Sequence, residues 1–434
     1  MKHFAFFLSR SYIHIKNRSN FVNKIKNIIL SLIWLSFLGL QLLVWIDPVR
    51  ASVFGVNAVT DMGASLLSDL IWIPAALVLP FILFSFLGRE RSLIIKFFLT
   101  FIAACIAGTG LLYLSTFFKY LFILLLIYFV LLLFSAYQGK ISVHHLLYTL
   151  VILFLAYHYN SQLIPPLGLK SNHGDIKVMS WNIGMDEAGL DSNTMIEFIK
   201  KEKPHIICIQ EFQTYQRRLL IEELSAMYPY QKWSRRVSDY GGGAILSRLS
   251  FLNSELIKIN SEYHASSPIT ITHASVNWQE KRIDVYNCHL HHSANYLLNQ
   301  FMTDRHFDLY NRKAQKGYMR HRDEAFQLAA RLFPVEHPLI VTGDFNDTPN
   351  SWVYRLYSKY LKNGFASAGW GLGTTFGEYR LTEKVPLPIK AEKINVLRID
   401  HIFYSNDFRA SGARVFKDIR SAHKPQIVTL VPLF

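Results

Sequence analysis

Carboxylate, amide and imidazole side chains stand at the ends of several apolar runs in the C-terminal part of the chain. Residues 177–181 lead to Asn182. The run 205–209 (HIICI) leads to Gln210 and Glu211. A carboxylate at the end of a buried strand costs free energy unless it is paired or bound to a metal ion. Glu211 is therefore a candidate metal ligand, and Asn182 either orients that carboxylate or contacts the metal. The alternatives are a solvent-facing or helix-capping Glu211 and a turn-forming Asn182.

The segment GDFND (343–347) follows another apolar run. Gly343 allows a sharp turn after a buried strand. Asp344 and Asn346 alternate, so their side chains point to the same side. One of them can orient or deprotonate a water molecule, and the other can donate hydrogen bonds to a charged oxygen. The alternative is a plain strand-to-turn corner, because Gly, Asp and Asn all favour turns.

His289 and His423 are the best acid–base candidates among 17 histidines, since imidazole titrates near neutral pH. A buried Asp400 accepting from one nitrogen of His423 would fix the tautomer and leave the other nitrogen free to act as a base. The alternative is a structural role for each histidine. The sequence HLHH (289–292) also suggests a zinc site, but no matching Cys/His spacing elsewhere supports one.

Short β-rich runs alternate with helical patterns through 177–434, which predicts a single α/β domain with a full core. The predicted strands are 177–183, 205–210, 243–248, 269–276, 282–289, 338–343, 398–404 and 426–431. The predicted helices are 191–203, 214–227 and 318–333.

Seven segments, read in order, together resemble the endonuclease/exonuclease/phosphatase (deoxyribonuclease I-like) superfamily. They are SWNIG (180–184), PHIICIQEF (204–212), GGGAILSR (241–248), NCHLHH (287–292), VTGDFND (341–347), RIDHIFYS (398–405) and SAHKP (421–425). The resemblance implies a four-layer α/β sandwich, with two mixed β-sheets packed face to face and helices outside. It also implies hydrolysis of a phosphoester with a divalent cation, usually Mg²⁺, with Mn²⁺ as a second possibility.

By position, the resemblance assigns Asn182 and Glu211 to the metal site and His289 to contact with the phosphate. A metal ion there would neutralise charge on the phosphate oxygens and on the leaving oxygen.

The resemblance further assigns Asp344 and Asn346 to orienting water and stabilising the transition state. Asp400 and His423 take the place of the pair that activates the attacking water. One position departs from the family pattern, which usually has an Asp immediately before the last His. Here that residue is Ala422, and the missing carboxylate implies weaker metal binding or fewer metal ions.

The N-terminal part has a different composition. Residues 1–26 carry six basic residues and no acid, which predicts a cytoplasmic flank. Residues 27–160 contain apolar runs at 27–46, 70–87, 97–115 and 120–137 and a weaker one at 143–159, which predicts four to five transmembrane helices. The segment 161–176 is a linker in composition, with two prolines and two glycines. The fold predicted for the whole chain is therefore an α-helical transmembrane region followed by the α/β sandwich.

Composition supports this division. Hydrophobic residues make up 51% of the 434 residues, charged residues only 18%, and mean hydropathy is +0.17, which excludes a disordered chain. Three cysteines exclude a disulfide framework. Counting basic loops predicts an integral membrane protein whose C-terminal domain lies on the non-cytoplasmic face if the fifth run crosses.

The net charge of +15 leaves +7 on residues 161–434, which weakly favours an anionic partner. The predicted partners are the lipid bilayer and a phosphoester substrate, either nucleic acid or a phospholipid headgroup, with no protein partner. The predicted function is a membrane-anchored phosphodiesterase of nuclease or phospholipase (sphingomyelinase-like) type. The alternatives are a catalytically weakened module that binds anionic polymers or lipids, and a transporter with an accessory domain. The basic stretch 305–322 either follows a phosphate backbone or is a solvated helix face.

Overall fold

The computed structural model describes residues 174–184, 191–234, 242–263, 268–292, 312–349, 351–370, 373–376, 397–416, 419 and 421–434. The predicted basic flank, the predicted transmembrane helices and nearly all of the predicted linker lie outside the described residues. Within the described ranges, none of the helices combines the length and apolar character needed to cross a membrane.

The first sheet has six strands. In order across the sheet they are β11 (Phe408–Val415), β12 (Gln426–Pro432), β1 (Ile176–Asn182), β2 (Ile206–Phe212), β4 (Gly242–Ser247) and β3 (Tyr230–Trp233). Strands β1 and β2 are parallel, and the other neighbours are antiparallel. The sheet is therefore mixed, as predicted.

The second sheet also has six strands. In order they are β5 (Phe251–Ile259), β6 (Ile269–Trp278), β7 (Lys281–His289), β8 (Leu339–Asp344), β10 (Asp400–Tyr404) and β9 (Lys362–Asn363). Here β7 and β8 are the parallel pair. Each sheet thus has a parallel pair at its centre, and the ends of those strands lie at one edge.

Helices cover the outer face of each sheet. Helices α1 (Ser192–Glu202) and α2 (Thr214–Leu224) pack on the first sheet, and α3 (Arg312–Leu332) and α4 (Trp352–Ser358) pack on the second. A short helix, α5 (Gly364–Ala368), follows β9. Helix α1 begins where the Asp191 carboxylate accepts a hydrogen bond from the Thr194 amide, which satisfies an end-of-helix donor.

Between the sheets lies an apolar core built from alternating strand positions. Val178, Ile206, Val285, Ile340 and Val428 are all fully buried there. Burying one such side chain contributes about 1.5–3 kcal/mol. Helix, sheet, sheet and helix therefore form the four layers of the predicted α/β sandwich.

All eight predicted strands are observed, with ends within two residues of the prediction. The prediction missed β3, β5, β9, β11, α4 and α5. Strand β5 is largely exposed and β11 only partly buried, so neither shows clean apolar alternation. Helix α3 begins at Arg312, six residues before the predicted start, because its first turns are polar and carry no apolar period.

Candidate functional site

Strand register places acidic and basic side chains in one row at the edge of the second sheet. Asp344, the last residue of β8, pairs with His289 on one side and with Asp400 on the other. In the first sheet, Asn182 at the end of β1 pairs with Gln210, the residue before Glu211. The polar ends of both sheets meet at this edge, above the apolar core.

The Asn182 amide joins the two sheets. Its Nδ2 donates to Glu211 Oε1 at 3.0 Å and to Asp344 Oδ2 at 2.9 Å. Its Oδ1 accepts from the Gly184 backbone N–H at 2.9 Å, which fixes the orientation of the amide. Asn182 therefore holds two carboxylates side by side through its nitrogen.

Glu211 is aimed into the site by an irregularity in β2. The pairing of β2 with β4 shifts register between Ile209 and Phe212, and Glu211 has a φ of 58°. A bulge with a left-handed residue turns a side chain out of the regular alternation. The Glu211 carboxylate consequently lies 3.3 Å from His289 Nε2.

Close approach of β8 to β7 requires Gly343. Its φ is 137°, and a Cβ at this position would lie 1.9 Å from the Cys288 carbonyl oxygen. Three residues later, Asn346 adopts a φ of 51°, and its backbone N–H donates to Asp344 Oδ1 at 2.8 Å. The loop thus folds back on the carboxylate that it carries.

The ring of His423 is held by Asp400. Nδ1 lies 2.9 Å from Asp400 Oδ2, and Nε2 lies 3.8 Å from Asp344 Oδ2. Burial lowers the pKa of His423, but the carboxylates of Asp400 and Asp344 raise it more, to about 9. The Lys424 ammonium donates to the carbonyls of Ile419 and Ser421 and so braces the turn before His423.

Asp344 is the electrostatic centre of the site. Burial raises its pKa and the Asp400 carboxylate raises it further, while His423 and His289 lower it. The imidazoles of His289 and His423 lie within 4 Å of the carboxylates of Asp344, Glu211 and Asp400. Three carboxylates therefore share two imidazoles in this part of the site.

Two overlapping groups of side chains have the composition of a metal site. Glu211, His289 and Asp344 form one, and Asp344, Asp400 and His423 form the other, with the ligand atoms of each group within 4.8 Å of one another. Carboxylate oxygens with one imidazole suit a hard or borderline divalent cation. The uncompensated carboxylates and the donor set both fit such an ion.

Sequence comparison adds the family to this geometry. The model of the Endonuclease/Exonuclease/phosphatase family matches residues 179–423, more than half of the chain. The chain belongs to this family. The endonuclease/exonuclease/phosphatase family generally hydrolyses phosphoester bonds and typically uses divalent metal ions.

Solved structures of the endonuclease/exonuclease/phosphatase type are similar to this chain at low identity. One from Beutenbergia cavernae DSM 12333 is 16% identical, with a TM-score of 0.44, over 60% of this chain and 72% of that chain. One from Bacteroides thetaiotaomicron is 19% identical, with a TM-score of 0.42, over 59% and 97%. The mannosyl-6-phosphatase of Bacteroides thetaiotaomicron VPI-5482 is 18% identical, with a TM-score of 0.40, over 59% and 99%. No curated protein matches the chain.

The seven side chains selected from the sequence for their family positions lie together at this edge. Two other sequence suggestions fare differently. Neither His291 nor His292 belongs to a metal-type group among the described residues, so the zinc-site alternative gains no support. Within the basic stretch, Arg320 is buried and its Nε donates to Glu324, and Arg322 stacks 4.0 Å from the centre of the Trp352 ring. Those two guanidinium groups are engaged with the protein itself.

Several residues around the site were not predicted. Gln210 Nε2 donates to Asn287 Oδ1 at 2.6 Å across the two sheets, just below the acidic row. His321 and Glu324 of α3 bond to the loops after β7 and β8. Glu324 lies within a polar helix pattern, and nothing in its spacing distinguishes it from a solvent-facing residue.

Proposed function

We propose that this protein is a membrane-anchored, divalent-cation-dependent phosphodiesterase of nuclease or phospholipase type. The observation that carries the proposal is the convergence of seven candidate side chains from both sheets around Asp344. The family contributes the reaction class, phosphoester hydrolysis.

Glu211 and Asp344 would hold the cation, with Asn182 keeping the two carboxylates in place. When bound, Mg²⁺ would supply charge neutralisation for the phosphoryl oxygens and the leaving oxygen. Carboxylate oxygens favour Mg²⁺, and Mn²⁺ accepts the same oxygen ligands as a substitute. The Ala422 position adds no further ligand.

His423 is the proposed general base. Asp400 accepts from Nδ1, which leaves Nε2 directed toward the site, 3.8 Å from Asp344 Oδ2. Nε2 would take a proton from the attacking water, and Asp400 would stabilise the resulting imidazolium. A positive charge that offsets the neighbouring carboxylates would lower the pKa of His423 toward the neutral range. The unprotonated ring could then accept that proton.

His289 and Asn346 face the position of the phosphoryl group. His289 lies within 3.8 Å of both Glu211 and Asp344, so an N–H directed between them also reaches an anionic oxygen held there. One amide hydrogen of Asn346 is used by the Leu290 carbonyl at 2.9 Å, and the second is available for a developing negative charge.

Membrane anchorage and the substrate class extend this proposal. The apolar runs within 27–160 support insertion in a bilayer, with the catalytic domain on the non-cytoplasmic face. The +7 charge of 161–434 supports nucleic acid, and tethering to a bilayer supports a phospholipid headgroup equally. Ala422 favours a second candidate function, a weakened module that binds anionic lipid or polymer without turnover.

The test compares full-length protein in lipid nanodiscs on plasmid DNA, RNA and sphingomyelin vesicles, each with Mg²⁺ or EDTA. We expect Mg²⁺-dependent hydrolysis of one substrate class, lost in Glu211→Ala and retained in the exposed control Glu222→Ala. Tight Mg²⁺ binding without hydrolysis of any substrate would instead establish the binding module. Protease protection of the turn at residue 250 in sealed vesicles locates the domain relative to the bilayer.

A further inference from the structure

The two loops that carry the candidate site are joined to each other. The first loop is residues 289–292, after β7, and the second is residues 344–348, after β8. The Leu290 backbone N–H donates to the Asp344 carbonyl at 3.0 Å, and Asn346 Nδ2 donates to the Leu290 carbonyl. These hydrogen bonds couple the positions of the two loops, and therefore the positions of His289 and Asp344.

Helix α3 contacts both loops through His321. This side chain is fully buried; its Nε2 lies 2.9 Å from the Asp347 carboxylate, and its Nδ1 is hydrogen-bonded to the His291 carbonyl. A carbonyl and an ionised carboxylate only accept, so both ring nitrogens must carry hydrogens. Burial lowers the pKa of His321, but Asp347 and Glu324 raise it more, which agrees with a charged ring.

One turn further along α3, Glu324 contacts the first loop. Its side chain is 1% exposed; Oε2 accepts from the His291 backbone N–H at 2.9 Å, and Oε1 accepts from Arg320 Nε at 2.7 Å. Both backbone groups of His291 are therefore held by side chains of one helix. A loop residue held at N–H and C=O has little freedom to move.

Packing of α3 does not require these polar groups. Ala325, Leu328, Ala329 and Leu332 supply the apolar face that packs on the second sheet. His321 and Glu324 instead direct polar atoms toward the loops, where a buried polar group without a partner is destabilising. Their arrangement serves the loops.

We propose that His321 and Glu324 are positioning residues, through which helix α3 fixes the two loops of the candidate active site. We name this pair with its bonds the α3 clamp. The proposal rests on the proposed function for its effect on catalysis. Its structural part concerns only the loops and is measurable without substrate or metal ion.

The first measurement is amide hydrogen exchange in metal-free protein. His321→Phe keeps a ring and removes both donors, and Glu324→Leu removes the acceptor for the His291 amide. We expect faster exchange confined to the peptides covering the two loops, with the β2 peptide unchanged. His321→Gln and Glu324→Gln each keep one hydrogen-bonding group and should restore part of the protection. Arg331→Gln, an exposed change on the same helix, is the control.

The second measurement is kinetic. Loss of a buried bond that orients active-site groups typically lowers activity about 10–100-fold. We expect His321→Phe to lower kcat by that factor with a smaller change in KM, since His321 lies behind the loops, and His321→Gln to recover much of it.

Unchanged loop exchange and kcat in both His321→Phe and Glu324→Leu would overturn the α3 clamp. Faster exchange throughout the domain, in the Gln variants as well, would also overturn it and make the pair ordinary core residues. If the wild-type protein hydrolyses no phosphoester, the proposed function fails, while the exchange result still decides the clamp.

Discussion

Two of the histidine–aspartate pairs in this domain serve different purposes. The site pair is His423 with Asp400, at the strand ends. The remote pair is His273 with Asp284, on the outer part of the second sheet, where β6 and β7 run side by side. Both histidines contact two carboxylates, so residue type alone does not distinguish them.

In the remote pair, two carboxylates lie beside one imidazole and one guanidinium group. Asp284 Oδ1 accepts from Ser275 at 2.6 Å, from His273 at 3.1 Å and from Arg282 at 3.1 Å. Burial raises the pKa of Asp284, but these three donors together lower it more, to about 2. The second nitrogen of His273 faces Glu255 at 3.2 Å, and its ring stacks on Tyr286. This pair stabilises the folded chain.

In the site pair, three carboxylates lie beside two imidazoles. Asp344 lies 3.8 Å from His423 and beside Asp400 in the strand register, and its pKa is raised instead of lowered. Excess buried negative charge is relieved by a proton or by a bound cation. The difference teaches that the balance of charge around a histidine–aspartate pair, more than the pair itself, indicates whether it serves stability or chemistry.

Alanine replacement of each histidine gives the largest separation of the two pairs. We expect His423→Ala to lower kcat by about 10²–10⁴-fold, the usual contribution of a general base. We expect His273→Ala to leave kcat unchanged and to lower the free energy of unfolding by about 1–3 kcal/mol, because the buried Asp284 carboxylate loses a donor. Steady-state kinetics and urea unfolding measure both. A His423→Ala enzyme with wild-type kcat would contradict the assignment of the base.

The edge on which the site lies was predictable from sequence, because Asn182, Glu211 and Asp344 each fall at the end of an apolar run and Asp400 lies near the start of another. Side chains at neighbouring strand ends meet whatever the details of the loops. The sequence pattern does not predict how the Glu211 side chain turns into the site. That depends on a bulge with a positive φ, which is decided by tertiary pairing of β2 with β4.

Residues that act through several bonds to distant segments were also beyond prediction. His321 bonds to an atom 30 residues away, and Asp284 gathers donors from two strands. Neither has a local pattern that differs from a surface residue. The exposed edge strand β5 was missed for a related reason, since only its partner β6 shows where it lies.

The pH dependence of kcat/KM is the next largest expected effect. His423 must lose its proton to act as a base, and its pKa is about 9 without a cation. At low Mg²⁺ we expect kcat/KM to rise about tenfold per pH unit up to that value, since kcat/KM reports the groups of the free enzyme. Higher Mg²⁺ should move the midpoint down, because the bound charge offsets Asp344 and Glu211. If the midpoint of the pH profile did not change with the Mg²⁺ concentration, a bound cation would not be what offsets the negative charge of the site.

Ala422→Asp tests the charge balance from the other direction. A carboxylate beside His423 adds to the negative excess and supplies the oxygen usual in the family. We expect Mg²⁺ to bind on the order of tenfold more tightly, similar to the effect of other groups around metal ligands. Calorimetric titration of metal-free protein measures this, with the exposed Ala226→Asp as the matched addition of charge. Equal affinities in the two variants would show that position 422 does not reach the cation.

The smallest expected effect is the change in the free energy of unfolding with pH that comes from Asp284 of the remote pair. Asp344 of the site is expected to change it in the opposite direction. The folded pKa of Asp284 is about 2 against 3.8 for a free side chain, so its contribution is complete above pH 3.8 and disappears as pH falls through 2. With solvent screening at Arg282, Asp284→Asn should cost about 1 kcal/mol at pH 6 and nothing near pH 2.

Asp344 has a raised pKa, so its protonated form favours folding and that advantage is lost as pH rises through the folded pKa. Asp344→Asn should therefore stabilise metal-free protein at pH 7 and make no difference at low pH. Urea unfolding of the two variants across this pH range measures both effects. If the two stability differences changed with pH in the same direction, the contrast between the two pairs would be lost.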